Sequence, residues 1–119
     1  MGDVDVSLGA VIDASGHEIW QAKIASDSFE VNVLGSLEEL SRLEAIREAH
    51  WDDRTCLRVG TCLRAAAFWC ANDEHDATLM VGGDDEVWDI AVIIPVGVVD
   101  DLVSQAREAA SRRGQVGLV

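Results

Sequence analysis

The chain has 119 residues, 49% of them apolar and 26% charged, which suits one hydrophobic core and excludes global disorder. Nine Lys and Arg stand against 22 Asp and Glu, a formal net charge of -13. Such a surface repels nucleic acid and anionic membranes, whose capture rests on cations meeting phosphates, and it draws in basic partners.

The N-terminal stretch MGDVDVSLGAVIDASG has neither a basic n-region nor an apolar h-region, so no secretory signal is expected. Val6 stands where a myristoylation signal following Gly2 needs a hydroxyl residue. No apolar run approaches the ~20 residues of a membrane span. Val4, Val6, Leu8, Ala10 and Ile12 alternate with Asp5, Ser7 and Gly9, which predicts a first strand. A turn at Asp13–His17 leads to a second strand carrying Trp20, Ala22 and Ile24. Ser26–Ser28 turns the chain into a third, with Phe29, Val31 and Val33. The short connections favour an antiparallel meander.

At Ser36 the period changes. Ser36 and Glu39 form an S-x-x-E capping box, and Leu37, Leu40, Leu43 and Ile46 follow at helical spacing, predicting a helix from Leu37 to Ala49. The segment TCLRVGTCLR repeats Thr-Cys-Leu-Arg on either side of Gly60, where a bulge or bend is expected before AAAFWC continues as strand. A turn at Asn72–Asp76, the strand ATLMV, a glycine-acid turn and the strand VWDIAVIIP follow. Beyond Pro95, Val98, Val99, Leu102, Val103, Ala106 and Ala109 make a helical stripe, with Gly114 as its expected stop. The expectation is a single α+β domain over residues 1–119. Its mainly antiparallel sheet has about six strands with two helices, in the order βββ-α-βββ-α.

Catalytic chemistry finds little footing. Cys56, Cys62 and Cys70 are too widely spaced along strands to share a zinc ion, and they read as small core residues of a reducing cytosol. His17, His50 and His75 fall in turns or at a helix end and pair with no local nucleophile signature. The run Gly82-Gly83-Asp84-Asp85-Glu86 resembles the GGDEF signature of cyclic dinucleotide synthases. Those enzymes need a considerably larger fold, and Val87 occupies the aromatic position. The turn also lacks the ligand spacing of a calcium loop. No catalytic residue, cofactor or metal is therefore expected.

The charge distribution carries more. Between Arg64 and Arg107 there is no Lys or Arg, yet nine acids occur. A surface of that kind suits capture of a basic site. Trp20 and Trp69 are read as core, whereas Trp51 and Trp88 sit beside acids and read as exposed anchors. If the chain keeps one direction through Gly60, Trp51, Asp52 and Asp53 share a surface with Asp84, Asp85, Glu86 and Trp88. Those seven are the candidate partner-binding residues.

From Ser36 to Val103 the chain resembles immunity proteins of bacterial polymorphic toxin systems: a SLEEL helix, strands containing FWC, then LMVGGDDEVWDIAVIIP and VVDDLV. The resemblance implies a cytoplasmic, non-catalytic inhibitor that binds a cognate toxin and blocks its active site or substrate cleft. The toxin's basic surface and the contact residues are read from charge and position. The alternative is a small-ligand- or subunit-binding module, such as a homodimer through the exposed sheet.

Overall fold

Alternating apolar residues become strands along most of the chain, and the strands pair in the order in which they occur. A computed structural model describes residues 3–62, 64–84 and 87–117. The strands are β1 (Asp5–Ile12), β2 (Glu18–Ala25), β3 (Glu30–Gly35), β4 (Leu57–Cys62), β5 (Ala65–Ala71), β6 (Asp76–Gly82) and β7 (Trp88–Pro95). They form a single seven-stranded sheet in which every neighbouring pair is antiparallel. The fold is α+β, as the sequence predicts.

The extra strand comes from a reversal between Cys62 and Ala65, which pair with each other across the turn. Arg64 adopts a φ of 72° there, a conformation usually taken by glycine or asparagine. Gly60 is not a reversal. It is a bulge within β4, where the register shifts between Arg58 and Thr61. Its φ of +77° suits glycine, and a Cβ there would lie 2.8 Å from Leu34 O and collide with Val33.

The connection between β3 and β4 is helical from Leu37 to Glu48. It begins as α1 (Leu37–Ser41) and tightens into a 3-10 helix (Arg42–Glu48). Leu37, Leu40, Leu43, Ile46 and Ala49 recur at every third residue. On an α-helix that spacing drifts by about 60° per step, whereas three residues per turn stack them on one face. Leu40, Leu43, Ile46 and Ala49 are all buried. Ser36 caps the start, its Oγ accepting from Glu39 N at 3.0 Å. The second half of the capping box is diverted: the Glu39 carboxylate accepts from Gly60 N at 2.8 Å.

The C-terminal helix α2 (Val96–Gly117) starts directly after Pro95 and continues through Gly114, the expected stop. Glycine weakens a helix interior by about 1 kcal/mol without forbidding it. The predicted stripe is buried from Val98 to Ala109. From Val98 to Ala106 it joins Leu40, Leu43 and Ile46, together with alternate residues of the sheet such as Val6, Ala22, Val33, Trp69, Leu79 and Ile94, in one core. Both helices therefore cover the same face. Arg47 ties the 3-10 helix to α2 through two 2.8 Å hydrogen bonds to Asp100, and Arg107 makes a second ion pair with Glu44. No helix among the described residues is long and apolar enough to cross a membrane.

Candidate partner-docking surface

The two acidic segments fall at opposite ends of the sheet. The turn between β6 and β7 sits beside the β4–β5 reversal. Trp51–Arg54 leads into the first residue of β4, so it lies at the other end with the β5–β6 turn. About 20 Å of strand separates the two. The expected shared surface is thus divided: Trp51, Asp52 and Asp53 do not meet Asp84 and Trp88, because the chain reverses between β4 and β5. Asp85 and Glu86 lie outside the described residues.

At the first end, Arg54 N closes a tight turn onto Trp51 O at 3.1 Å, with Arg54 at a φ of 57°. The Thr55 hydroxyl accepts from His50 N at 2.9 Å. Ala71 N donates to Ala49 O at 2.7 Å, fixing this turn against the end of β5. A shallow depression of about 330 Å³ opens beside it, lined by Arg47, His50, Ala71, Asp73 and Glu74. Asp73 Oδ1 accepts from His75 N and Asp76 N at 2.7 and 2.8 Å. Those two bonds hold its carboxyl below the usual carboxylate range.

At the second end, Gly83 N donates to Val87 O at 2.8 Å and Asp84 Oδ1 accepts from Val87 N at 2.7 Å. Asp84 therefore organises the turn as well as charging it. Gly82 is obligatory, since a Cβ would sit 2.6 Å from Val87 O. The register then slips by one residue between Val81 and Gly82, opposite Asp89. Out of this bulge runs β7, an edge strand.

Exposure is concentrated along β7. Six large apolar side chains are exposed among the described residues: Val87 at 66%, Trp88 at 44% and Ile90 at 51% lie at this second end, and Ile93 at 64% lies further along β7, opposite Thr78 and toward the β5–β6 turn. Trp51, at 48%, stands apart from them. Trp69 is fully buried, its indole donating to Val59 O at 2.9 Å, and Trp20 packs half-buried against the core. The tryptophans thus divide as their neighbours in sequence imply.

Val87, Asp89, Ile90 and Ile93 were not singled out by the sequence. VWDIAVIIP is apolar on both faces, the pattern of a strand buried on both sides. That β7 ends the sheet depends on pairing order, and no local signal reports it. The cation-free stretch is also less uniform than its composition, because Asp100 belongs to the Arg47 pair.

The cysteines do not converge. Cys62 belongs to the core and burial pushes its thiol up, while Cys70 pairs across β6 with Thr78 on the opposite face. Among the described residues, no group of three or more His, Cys, Asp or Glu is placed to hold a metal ion. A second depression, of about 310 Å³, lies between the 3-10 helix and α2 and is lined by the paired Glu44, Asp100 and Arg107 with Val103 and Ser104. No family model, curated protein or solved structure matches the chain.

Proposed function

We propose that this chain is a non-catalytic, cytoplasmic protein of the immunity kind. It binds a cognate toxin through an acidic and apolar surface and neutralises it by covering the toxin's basic site. One observation carries the reading. Val87, Trp88, Ile90 and Ile93 are all exposed along or just before one edge strand, which starts beside Asp84 and carries Asp89, and no Lys or Arg occurs from residue 65 to residue 106. Apolar area supplies the attraction at close range, while the acids steer a basic partner and select against an acidic one. The partner site thus centres on Asp84, Trp88 and β7. The turn bearing Trp51, Asp52 and Asp53 flanks a broad interface or serves a separate one.

The test is the association rate with a basic protein that co-purifies from the native host. Asp89→Lys is expected to slow association by about tenfold or more at low salt with little change in melting temperature. Asp84→Asn, which keeps the oxygen that Val87 N needs, is expected to do the same more weakly. Association unchanged by both substitutions overturns the reading.

A further inference from the structure

The two edges of the sheet are treated differently. On β1, the outward-facing backbone is occupied: the Gln105 side chain of α2 donates to Val6 O and accepts from Leu8 N, both at 3.0 Å. A side-chain amide there imitates a neighbouring strand and covers that edge over Val6 to Leu8.

The phase of β7 follows from a single bond. Val96 N donates to His75 O at 2.7 Å, and these residues flank the Asp76–Pro95 pair. That places Pro95 in a non-hydrogen-bonded pair, its own backbone turned away from β6. Proline, lacking an N–H, is suited to that position. Counting back in steps of two through the regular register, Ile93 and Ala91 also turn their N–H and C=O groups outward. Ile90, Val92 and Ile94 spend theirs on Val81, Leu79 and Ala77 of β6. An edge is usually blunted by lysine or another charge, by proline, by a bulge, by a covering helix or by brevity. On β7 the bulge and Asp89 lie at the start and Pro95 at the last residue, so the stretch from Ile90 to Ile94 between them carries none of these. β7 has eight residues and no lysine, and its one charge is Asp89 in the bulge.

We propose that β7 is a strand-addition site. At Ala91 and Ile93 it receives an extended segment of a partner protein that is apolar at alternate positions and bears Lys or Arg at its ends. Main-chain hydrogen bonds supply the register, and Ile93, exposed beside the outward groups, supplies apolar contact. Acids lie at both ends of the strand, Asp84 and Asp89 at its start, and Asp73, Glu74 and Asp76 near its finish. A second copy of this chain carries the same formal charge of -13 and meets like with like. A basic segment meets opposite charge. The inference rests on the reading of a basic partner given above.

The probe is the peptide Lys-Val-Thr-Val-Thr-Val-Lys, with a counterpart in which glutamate replaces both lysines. The measurement is residue-resolved amide hydrogen exchange on the whole chain. In the free protein the amides of Ala91 and Ile93 are expected to exchange fast, and those of Ile90, Val92 and Ile94 slowly. The lysine peptide is expected to slow Ala91 and Ile93 several-fold, and the glutamate peptide to leave them unchanged. Ile93→Pro, which removes an outward donor without touching the β6 ladder, abolishes the slowing. If that variant does not fold, the wild-type exchange pattern still decides. Lysine-peptide binding that perturbs Asp84 and Trp88 but leaves Ala91 and Ile93 fast overturns strand addition while sparing the basic-partner reading. Equal slowing by both peptides overturns the basic partner. Slowing that appears with rising protein concentration alone makes a second copy the occupant and contradicts the proposal.

Discussion

Around the β4 bulge, two side chains far apart in sequence solve one local problem. A bulge withdraws backbone groups from the ladder, and buried groups left without partners cost about 1–3 kcal/mol each. Here Val59 O accepts from the Trp69 indole and Gly60 N donates to the Glu39 carboxylate. Trp69→Phe keeps an aromatic ring but removes the donor and leaves a smaller side chain in a buried site, so a loss of at least about 1–3 kcal/mol is expected in denaturant unfolding. Gly60→Ala is expected to lose at least about 1–2 kcal/mol from its left-handed backbone alone, with the clash against Val33 and Leu34 added. Gly97→Ala, where a Cβ meets nothing within 4 Å, is expected to gain about 0.5 kcal/mol instead. At this scale the sequence was legible where the partner was local. Ser36 and Glu39 announced a cap, and the cap forms. Glu39's carboxylate lies against Gly60, and no spacing rule connects those two positions.

A few polar contacts, within and between elements, set the response to acid. Hydrogen bonds from Arg47 hold the Asp100 carboxyl below its ordinary value. Asn32, then Lys23, do so for Glu30, and the amides of His75 and Asp76 for Asp73. A carboxylate whose folded value is depressed adds stability above its unfolded value, and that stability is lost as pH falls through the folded one. The melting temperature is therefore expected to hold near neutrality and to fall below about pH 4. Asp100→Asn is expected to lower it at pH 7 and to flatten its acid slope; an unchanged slope contradicts a role for this pair. Gln105→Ala is expected to speed exchange of the Leu8 amide while Ala91 and Ile93 keep their rates. The helices were visible from their apolar stripes. The shift from α to 3-10 was present in the strict spacing of Leu37, Leu40, Leu43, Ile46 and Ala49, a period of three that a generic helical reading absorbs. The reversal between Cys62 and Ala65 was not visible, because the sequence Leu-Arg between them carries no turn chemistry.

Over the whole molecule, charge and topology divide the work. Composition alone establishes the acidity, and the sheet order decides where it acts. One edge is partly covered by Gln105 and one face is covered by two helices. The remaining edge carries exposed Trp88, Ile90 and Ile93 beside Asp89. That edge was hidden in the sequence, since an apolar strand reads alike whether it lies at the centre of a sheet or at its margin. The separation of Trp51, Asp52 and Asp53 from Asp84 was hidden for a related reason, as one unannounced reversal moved them to opposite ends. The central claim is capture and neutralisation of a basic protein. It is tested most directly by co-purifying the chain from its native host at low ionic strength, where electrostatic association is strongest, and by assaying what it brings along. The expected result is a basic protein that arrests growth when expressed alone, that this chain restores to harmlessness, and that Asp89→Lys releases. Emergence of the chain alone at low salt, or with a partner whose activity it leaves untouched, contradicts the claim.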